Sequence, residues 1–337
     1  MNYNKTVISQ IKHKETEDIP YTLGFQKESR DRLDLYYGKS KWRELVKPFI
    51  SRVWTMDCQQ KTEINDLYTR DIYGSIWREE GLMAHLEKPI LSEPFLKNYI
   101  FPQPSEFFIN DEFNTARSEI EKSKESFTLV HIPWGIFEKS WSLRGFENAL
   151  TDMSASIKFY EELIDNIAEH IMGFVDLAIK LPVDGIMFGD DWGGQSGLFM
   201  GRERWCRFFK DKYRKMFDKV HQSGKYVVNH CCGNIVDILP DLIEIGLDVY
   251  ESFQPEAMDI YKVKKEFGMD MTFWGGLGAQ STIPFGTPDD IKNEVSTLKT
   301  KMAKGGGFIL APSKDPPPET PIENLIALID AFTENNR

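Results

Sequence analysis

The second half of this chain switches repeatedly between two hydrophobic periods, and that alternation leaves very few folds open to it. Short apolar or β-rich runs occur at 127–132, 185–188, 226–229, 249–252, 271–274 and 307–310. Between them the apolar residues recur every three or four positions. In 154–181 the stripe is Ile157, Tyr160, Ile164, Ile167, Ile171, Phe174 and Ala178, and in 202–222 it is Trp205, Phe208, Phe209, Met216 and Val220. Such spacing places each stripe on one helix face. Further helices fit 235–245, 257–267, 287–304 and 321–334. Thr287 and Thr320 are the expected N-caps of the last two, each followed by a proline where the missing N–H costs little.

Strand–helix alternation implies parallel strands joined by right-handed crossovers. A doubly wound sheet and a closed (β/α)8 barrel both satisfy it. The doubly wound sheet would carry a GxGxxG-type turn after its first strand, and none follows an early strand here. The six later runs and two earlier candidates, 50–57 and 72–78, total about eight strands. The expected fold is therefore an α/β TIM barrel, one domain over 1–337, with an irregular N-terminal extension and loop insertions. That extension begins with a short helix in 1–20 that ends at Asp18-Ile19-Pro20, an extended piece at 21–25 and a polar helix over 30–37. Prolines at 89, 94 and 102 mark a loop-rich stretch.

Charge and cysteine usage exclude several partners. Lysine and arginine number 41 against 52 aspartates and glutamates, a net charge of −11, so no basic nucleic-acid face is expected. No run approaches about 18 apolar residues, so no membrane span is expected. The first residues lead into no apolar segment, so no secretory signal is expected either. Four cysteines then imply reduced thiols and a cytoplasmic location. Cys231 and Cys232 are adjacent and directly follow His230.

Barrel chemistry sits at the C-terminal ends of the strands. Here those ends read Pro133-Trp134-Gly135, Gly189-Asp190-Asp191-Trp192-Gly193-Gly194-Gln195, His230-Cys231-Cys232-Gly233-Asn234, Glu251-Ser252-Phe253-Gln254-Pro255, Gly275-Gly276-Leu277 and Ala311-Pro312-Ser313-Lys314. Consecutive Asp190 and Asp191 cannot both face the mouth of an extended strand. One is expected in the pocket, as proton donor or acceptor or as anchor for a cation, and the other as a turn cap. By the same alternation His230 and Cys232 share a face and Cys231 turns into the wall. Imidazole and thiolate suit zinc, but catalytic zinc takes three protein ligands and an open position. Glu251, at the end of the next strand, is within reach as a third. A hydrogen-bonded histidine at a well-packed strand end fits the same residues without a metal. Cys58 and Cys206 lie away from the mouth and read as structural. Trp134, Trp192, Phe253 and Trp274 are expected as pocket walls. Gly305-Gly306-Gly307 reads as a helix stop and tight turn, and Pro316-Pro317-Pro318 as a stiff surface connector.

Several of these segments together resemble the uroporphyrinogen decarboxylase superfamily. They are Asp184 through Gly193, His230-Cys231-Cys232-Gly233-Asn234, Leu242 through Val249, Gln254-Pro255, Phe273-Trp274-Gly275-Gly276 and Pro284-Phe285-Gly286-Thr287-Pro288, with Asp71-Ile72-Tyr73-Gly74 and His13-Lys14-Glu15 earlier. The resemblance implies a (β/α)8 barrel. Its decarboxylases bind an acidic tetrapyrrole through an N-terminal RQAGR-type motif, whereas this chain has Glu28-Ser29-Arg30-Asp31-Arg32. They also place a histidine near the last barrel strand, where this chain reads Leu310-Ala311-Pro312-Ser313-Lys314. The corrinoid-linked methyltransferases instead carry a His-x-Cys pair and a distant second cysteine as zinc ligands. His230-x-Cys232 matches the pair, and Ser313 stands where the second cysteine is expected. A hydroxyl is a poor zinc ligand, so this pattern leaves the site one ligand short, with Glu251 as the candidate to compensate.

The resemblance therefore implies a methyltransferase-like enzyme that moves a methyl group between a small methylated donor or thiol and a corrinoid carried by a partner protein. His230 and Cys232 would hold zinc or polarise the thiol. Asp190 or Asp191 and Gln254 would orient the substrate, with Gln195, Glu251 and Ser313 also lining it and Trp134, Trp192 and Trp274 as walls. The alternatives are a decarboxylase of uroporphyrinogen or another carboxylate, and a barrel that binds a small molecule or corrinoid without turnover.

Overall fold

Strands buried on both faces read as continuous apolar runs, and the runs of the second half become consecutive parallel strands. The computed structural model describes every residue except 1, 40, 56–59, 81–82, 97–98, 108–111 and 335–337. Its strands are β1 (Ile50–Thr55), β2 (Lys61–Asn65), β3 (Tyr68–Asp71), β4 (Ile76–Glu80), β5 (Met83–Lys88), β6 (Phe127–Ile132), β7 (Gly185–Gly189), β8 (Gly193–Gly194), β9 (Gly197–Leu198), β10 (Tyr226–His230), β11 (Val249–Phe253), β12 (Thr272–Leu277) and β13 (Phe308–Pro312). The main sheet is parallel throughout, in the order β1-β6-β7-β10-β11-β12-β13. Strands β7, β12 and β13 are buried along their whole length.

The eighth position differs from the expectation. Residues 72–78 do not form a barrel strand. The stretch 72–75 is a turn, and β4 belongs to a separate antiparallel sheet, β2-β3-β4-β5, inserted between β1 and β6. Asp71 closes the turn by accepting hydrogen bonds from the Ser75 N–H (2.9 Å) and from Trp77 Nε1 (2.8 Å). The extended piece at 21–25 meets the far edge of the main sheet instead. Tyr21 bridges Leu310 in parallel, the Thr22 N–H donates to the Leu310 carbonyl (3.0 Å), and the Leu310 N–H donates to the Pro20 carbonyl (2.9 Å).

Most crossover helices follow the stripes, with local corrections. The helix expected over 154–181 runs Ile157–Ala178, and a separate helix, Phe146–Ala155, ends at Ser156 (φ −134°, ψ 47°). The segment 202–222 carries a π-helical turn at Cys206–Lys210 before the helix Asp211–Gln222. Thr287 caps the helix Pro288–Met302 in a reciprocal capping box with Asp290. Thr320 caps nothing. The helix there begins at Ile322 behind Pro321, and Thr320 is buried with its hydroxyl unpaired and its carbonyl accepting from Arg32 (2.8 Å). The N-terminal helix is shorter than expected, Tyr3–Ile11, and the polar helix longer, Lys27–Tyr37. Among the described residues no helix is long and apolar enough to cross a membrane.

The loops leaving β7 and β10 lock together, and this positions the chemistry at their tips. The Asn234 N–H donates to the Gly194 carbonyl at 2.8 Å. Gly233 turns between them with φ +81°, and a Cβ there would lie 2.5 Å from the Gly193 carbonyl. A side chain at this position meets a left-handed backbone and a fixed carbonyl together. Gly233→Ala should therefore lower stability by about 2 kcal/mol or more in urea unfolding, and an unchanged midpoint would contradict this account.

Candidate active site

The C-terminal ends of the sheet strands surround a cavity of about 450 Å³, lined by Arg52, His131, Glu138, Asp191, His230, Glu251, Trp274, Ser313 and Asp315 among others. The two adjacent aspartates divide as strand alternation requires, and the division is sharp. Asp190 is fully buried behind the cavity. It accepts hydrogen bonds from the N–H groups of Phe137 (2.9 Å) and Glu138 (2.8 Å), from Trp192 Nε1 (2.7 Å) and from the Tyr213 hydroxyl (2.6 Å). It thus caps the N-terminus of the helix Ile136–Arg144, and burial pushes its pKa up to about 6 against the pull of those donors. Asp191 faces the cavity and accepts the Cys232 N–H at 2.6 Å.

At the end of β10 the side chains of His230 and Cys232 converge. Cys232 Sγ lies 3.5 Å from His230 Nε2, and an Asp191 carboxylate oxygen lies 3.8 Å from the same nitrogen. Ligand atoms of all three residues fall within 4.8 Å of one another. The other ring nitrogen, Nδ1, is hydrogen-bonded to the Glu251 carboxylate. Burial opposes charge on His230, but Glu251 and the Cys232 thiol outweigh it and hold the imidazole pKa well above its usual value. Burial likewise opposes charge on Glu251, and His230 overrides it, keeping that carboxyl pKa low. Cys231 turns into the wall, where its sulfur accepts the Trp192 N–H (3.2 Å).

Two further groups face this centre. His131 has a buried Nε2 with no hydrogen-bond partner among the described residues, and burial, then Arg52 and His230, depress its pKa to about 3. Its ring is neutral at physiological pH. Glu138 lines the cavity in the first turn of the helix that Asp190 caps. Burial first, then the charges of Asp190 and Asp191, raise its pKa to about 8. Sequence reasoning missed Glu138, because an acid in a first helical turn reads as a partner of the helix dipole. Carrying the strand-end rule one helical turn past Pro133-Trp134-Gly135 would have reached it.

Of the residues singled out in the sequence, Asp191, His230, Cys232, Glu251, Trp274 and Ser313 come together. Trp274 is a wall whose Nε1 donates to Thr22 Oγ1 at 2.8 Å. Ser313 is buried, and its hydroxyl accepts the Ala279 N–H at 3.3 Å. Six lie outside the cavity. Asp190 is the helix cap. Trp192 is buried between Trp205 and Tyr213, with ring centroids 5.4 and 5.2 Å away. Trp134 stacks on His170 and lines a separate cavity of about 290 Å³. Gln195 is exposed on the β8–β9 turn, 3.4 Å from Gln280. Gln254 is buried, and its side-chain carbonyl accepts the Gly233 N–H. Phe253 is core, stacked on Phe273. Cys206 is half-buried on the π-helical turn, and Cys58 lies outside the described residues.

The family model for uroporphyrinogen decarboxylase (URO-D) matches residues 76–335. The chain belongs to the uroporphyrinogen decarboxylase family. Within that family its relatives carry two activities. It is 21% identical over 267 residues to a uroporphyrinogen decarboxylase of Psychromonas ingrahamii, covering 76% of this chain and 72% of that one. It is 27% identical over 186 residues to the methylcobamide:CoM methyltransferase MtaA of Methanosarcina barkeri, covering 54% of this chain and about half (52%) of that protein. A methyltransferase from Methanosarcina mazei shares the fold, with a TM-score of 0.70 over 99% of both chains at 20% identity.

The raised carboxyl pKa of Glu138 has a signed consequence for stability. The folded chain holds this proton more tightly than the unfolded one, where the ordinary value is 4.5. Glu138 therefore favours the folded state below about 4.5, and that contribution is lost as the pH rises through about 8. Urea unfolding across this range should show wild-type stability falling relative to Glu138→Gln as the pH rises. Parallel profiles would refute the assignment.

Proposed function

We propose that this member of the uroporphyrinogen decarboxylase family is a methyltransferase working at the mouth of a closed (β/α)8 barrel, moving a methyl group between a small methylated donor or thiol and a corrinoid. The observation that carries this reading is the convergence of an imidazole nitrogen, a thiol and a carboxylate, those of His230, Cys232 and Asp191, within 4.8 Å. Nitrogen, sulfur and oxygen donors suit zinc, and three protein ligands leave the open position of a catalytic site. Asp191 thus supplies the ligand that Ser313 cannot. Glu251 has a supporting role: by holding Nδ1 it leaves Nε2 of His230 directed at the other two donors, the usual arrangement for a metal-binding imidazole.

Zinc at this position would supply a Lewis acid that lowers a thiol pKa or polarises a methylated heteroatom. The protein's own groups do the rest. Trp274 gives a flat wall, and Arg52 places a guanidinium 5.9 Å from its ring centroid. The neutral ring of His131 keeps an unpaired nitrogen at the cavity wall. The relatives named as methyltransferases support the reading. So does the lack of the decarboxylases' arginine-rich motif and last-strand histidine.

Zinc content and methyl exchange with cob(I)alamin test it on the purified chain. His230→Ala and Cys232→Ala should each lose both zinc and methyl transfer. Glu251→Gln should weaken zinc binding by roughly 10- to 100-fold. Activity untouched by the His230 and Cys232 changes, or release of coproporphyrinogen from uroporphyrinogen in place of methyl transfer, would overturn the proposal.

A further inference from the structure

The extended piece 21–25 is hydrogen-bonded to the main sheet on its β13 side only. Among the described residues no backbone hydrogen bond joins it to β1, and just before that strand the Tyr21 hydroxyl accepts the Lys47 N–H at 2.8 Å. A cavity of about 540 Å³ lies in this gap, with Tyr21 through Phe25 on one side and Lys47, Pro48, Ile50 and Arg52 on the other. Thr22, Gly24, Arg52, Trp274 and Asp315 line both it and the reaction cavity, so the two adjoin. The charge of the gap runs against that of the chain. The chain carries −11, yet Arg30, Arg43, Lys47 and Arg52 face a single acid here, Asp315. Arg43 is paired with Asp34, and Lys47 with Asp18 at 3.5 Å. Arg30 and Arg52 make no side-chain hydrogen bond and no ion pair among the described residues. On the helix Lys27–Tyr37 it is Arg32 that is engaged, donating to the carbonyls of Pro318 (2.9 Å) and Thr320 (2.8 Å). Arg52 lies toward the face of Trp274, and a guanidinium laid on an indole keeps its N–H edge for another partner. Two unpaired guanidiniums against one carboxylate leave the gap positive.

We propose that this gap is a second ligand site, an annex that holds the oxyanion of an organic acid (a carboxylate, sulfonate or phosphate) between Arg30 and Arg52 while the rest of the molecule reaches past Trp274 into the reaction cavity. Guanidinium suits this class of ligand. Its planar fork matches two oxyanion oxygens, and it stays charged at any physiological pH. Walls of low dielectric around a positive cleft concentrate the field on an entering anion. The neighbouring cavity has the opposite bias, since Asp191, Glu251 and Asp315 all line it. An oxyanion is therefore repelled from that side and held among the arginines, and the uncharged end of the ligand is the end that enters. Charge thus sets the direction in which the ligand lies. The inference goes beyond the methyl-transfer reading and does not depend on it, because it concerns only where the charge of the ligand rests.

Calorimetric titration of the purified full chain tests it, with quenching of tryptophan fluorescence as a second readout. The probes are benzenesulfonate, its uncharged analogue methyl phenyl sulfone, and inorganic sulfate. Benzenesulfonate should bind about 10-fold or more tightly than the sulfone, and more tightly than sulfate. Arg30→Gln and Arg52→Gln should each weaken benzenesulfonate binding by about 10-fold, and Arg52→Lys, which keeps the charge and loses the fork, by less. Both arginines are exposed, so the variants should unfold at the wild-type temperature. Arg30 is the deciding position, because it lines the annex and not the reaction cavity. Loss of binding in Arg52→Gln but not in Arg30→Gln would put the anion in the reaction cavity and overturn the proposal. Equal affinity for sulfate and benzenesulfonate would make a free inorganic anion the occupant and overturn it as well. So would equal affinity for the sulfone, or no binding of benzenesulfonate at all. None of these measurements reads methyl exchange, so the annex can fail while the methyl-transfer reading stands, and the reverse.

Discussion

One buried carboxylate holds the mouth of this sheet together. Asp190 stands at the tip of β7 and collects four donors from three parts of the chain: two N–H groups that open the helix Ile136–Arg144, the indole of Trp192, and the hydroxyl of Tyr213 on the helix Asp211–Gln222. Each donor would be unpaired in a dry interior without it, and an unmet buried polar group is more expensive than a hydrogen bond is favourable. The carboxylate therefore sets where the helix after β6 begins. Through that start it sets the place of Glu138. Through its own inward orientation it sets that of Asp191.

The charges around the cavity follow from this scaffold. Glu251 and His230 form a half-buried pair in which each partner overrides the desolvation penalty of the other. His131, lacking such a partner and facing Arg52 and the charged His230, stays neutral. Glu138, buried and then crowded by two carboxylates, has its pKa raised to about 8. Neighbouring groups of the same chemical type are thus driven to opposite protonation states by burial and partner alone, as happens where acids and bases must coexist at one pH. A basic carboxylate–imidazole pair and a neutral acid share one chamber with Asp191 and Cys232.

The parallel-sheet half of the fold is legible because both of its periods are written in apolar residues. Parallel strands buried on two faces and helices buried on one leave signals of very different spacing. The first half was not. Tyr73 and Trp77 fit a strand by composition, but the tight turn closed by Asp71 splits that run and assigns it to the antiparallel insertion. Trp134 and Trp192 sat at the right strand ends and yet pack inward, against His170 and Tyr213. An indole carries no mark in the sequence of which cavity it will fill. Glu138 was hidden for the converse reason. Nothing local separates it from an ordinary acid in a first helical turn, since its raised pKa comes from burial first and then from carboxylates more than 50 residues away in sequence.

The sequence by itself determined that Asp190 and Asp191 must part company, and that His230 and Cys232 must turn together away from Cys231. The reason is the two-residue period of an extended backbone, which needs no knowledge of the rest of the chain. Only the tertiary structure decided which aspartate faces the cavity. That choice depends on the helix N-terminus beginning at Ile136, whose unpaired N–H groups draw the Asp190 carboxylate inward and leave Asp191 beside the imidazole and the thiol. The same fold leaves the serine at position 313 to accept the Ala279 N–H, while a carboxylate from another strand, that of Asp191, stands beside His230 and Cys232.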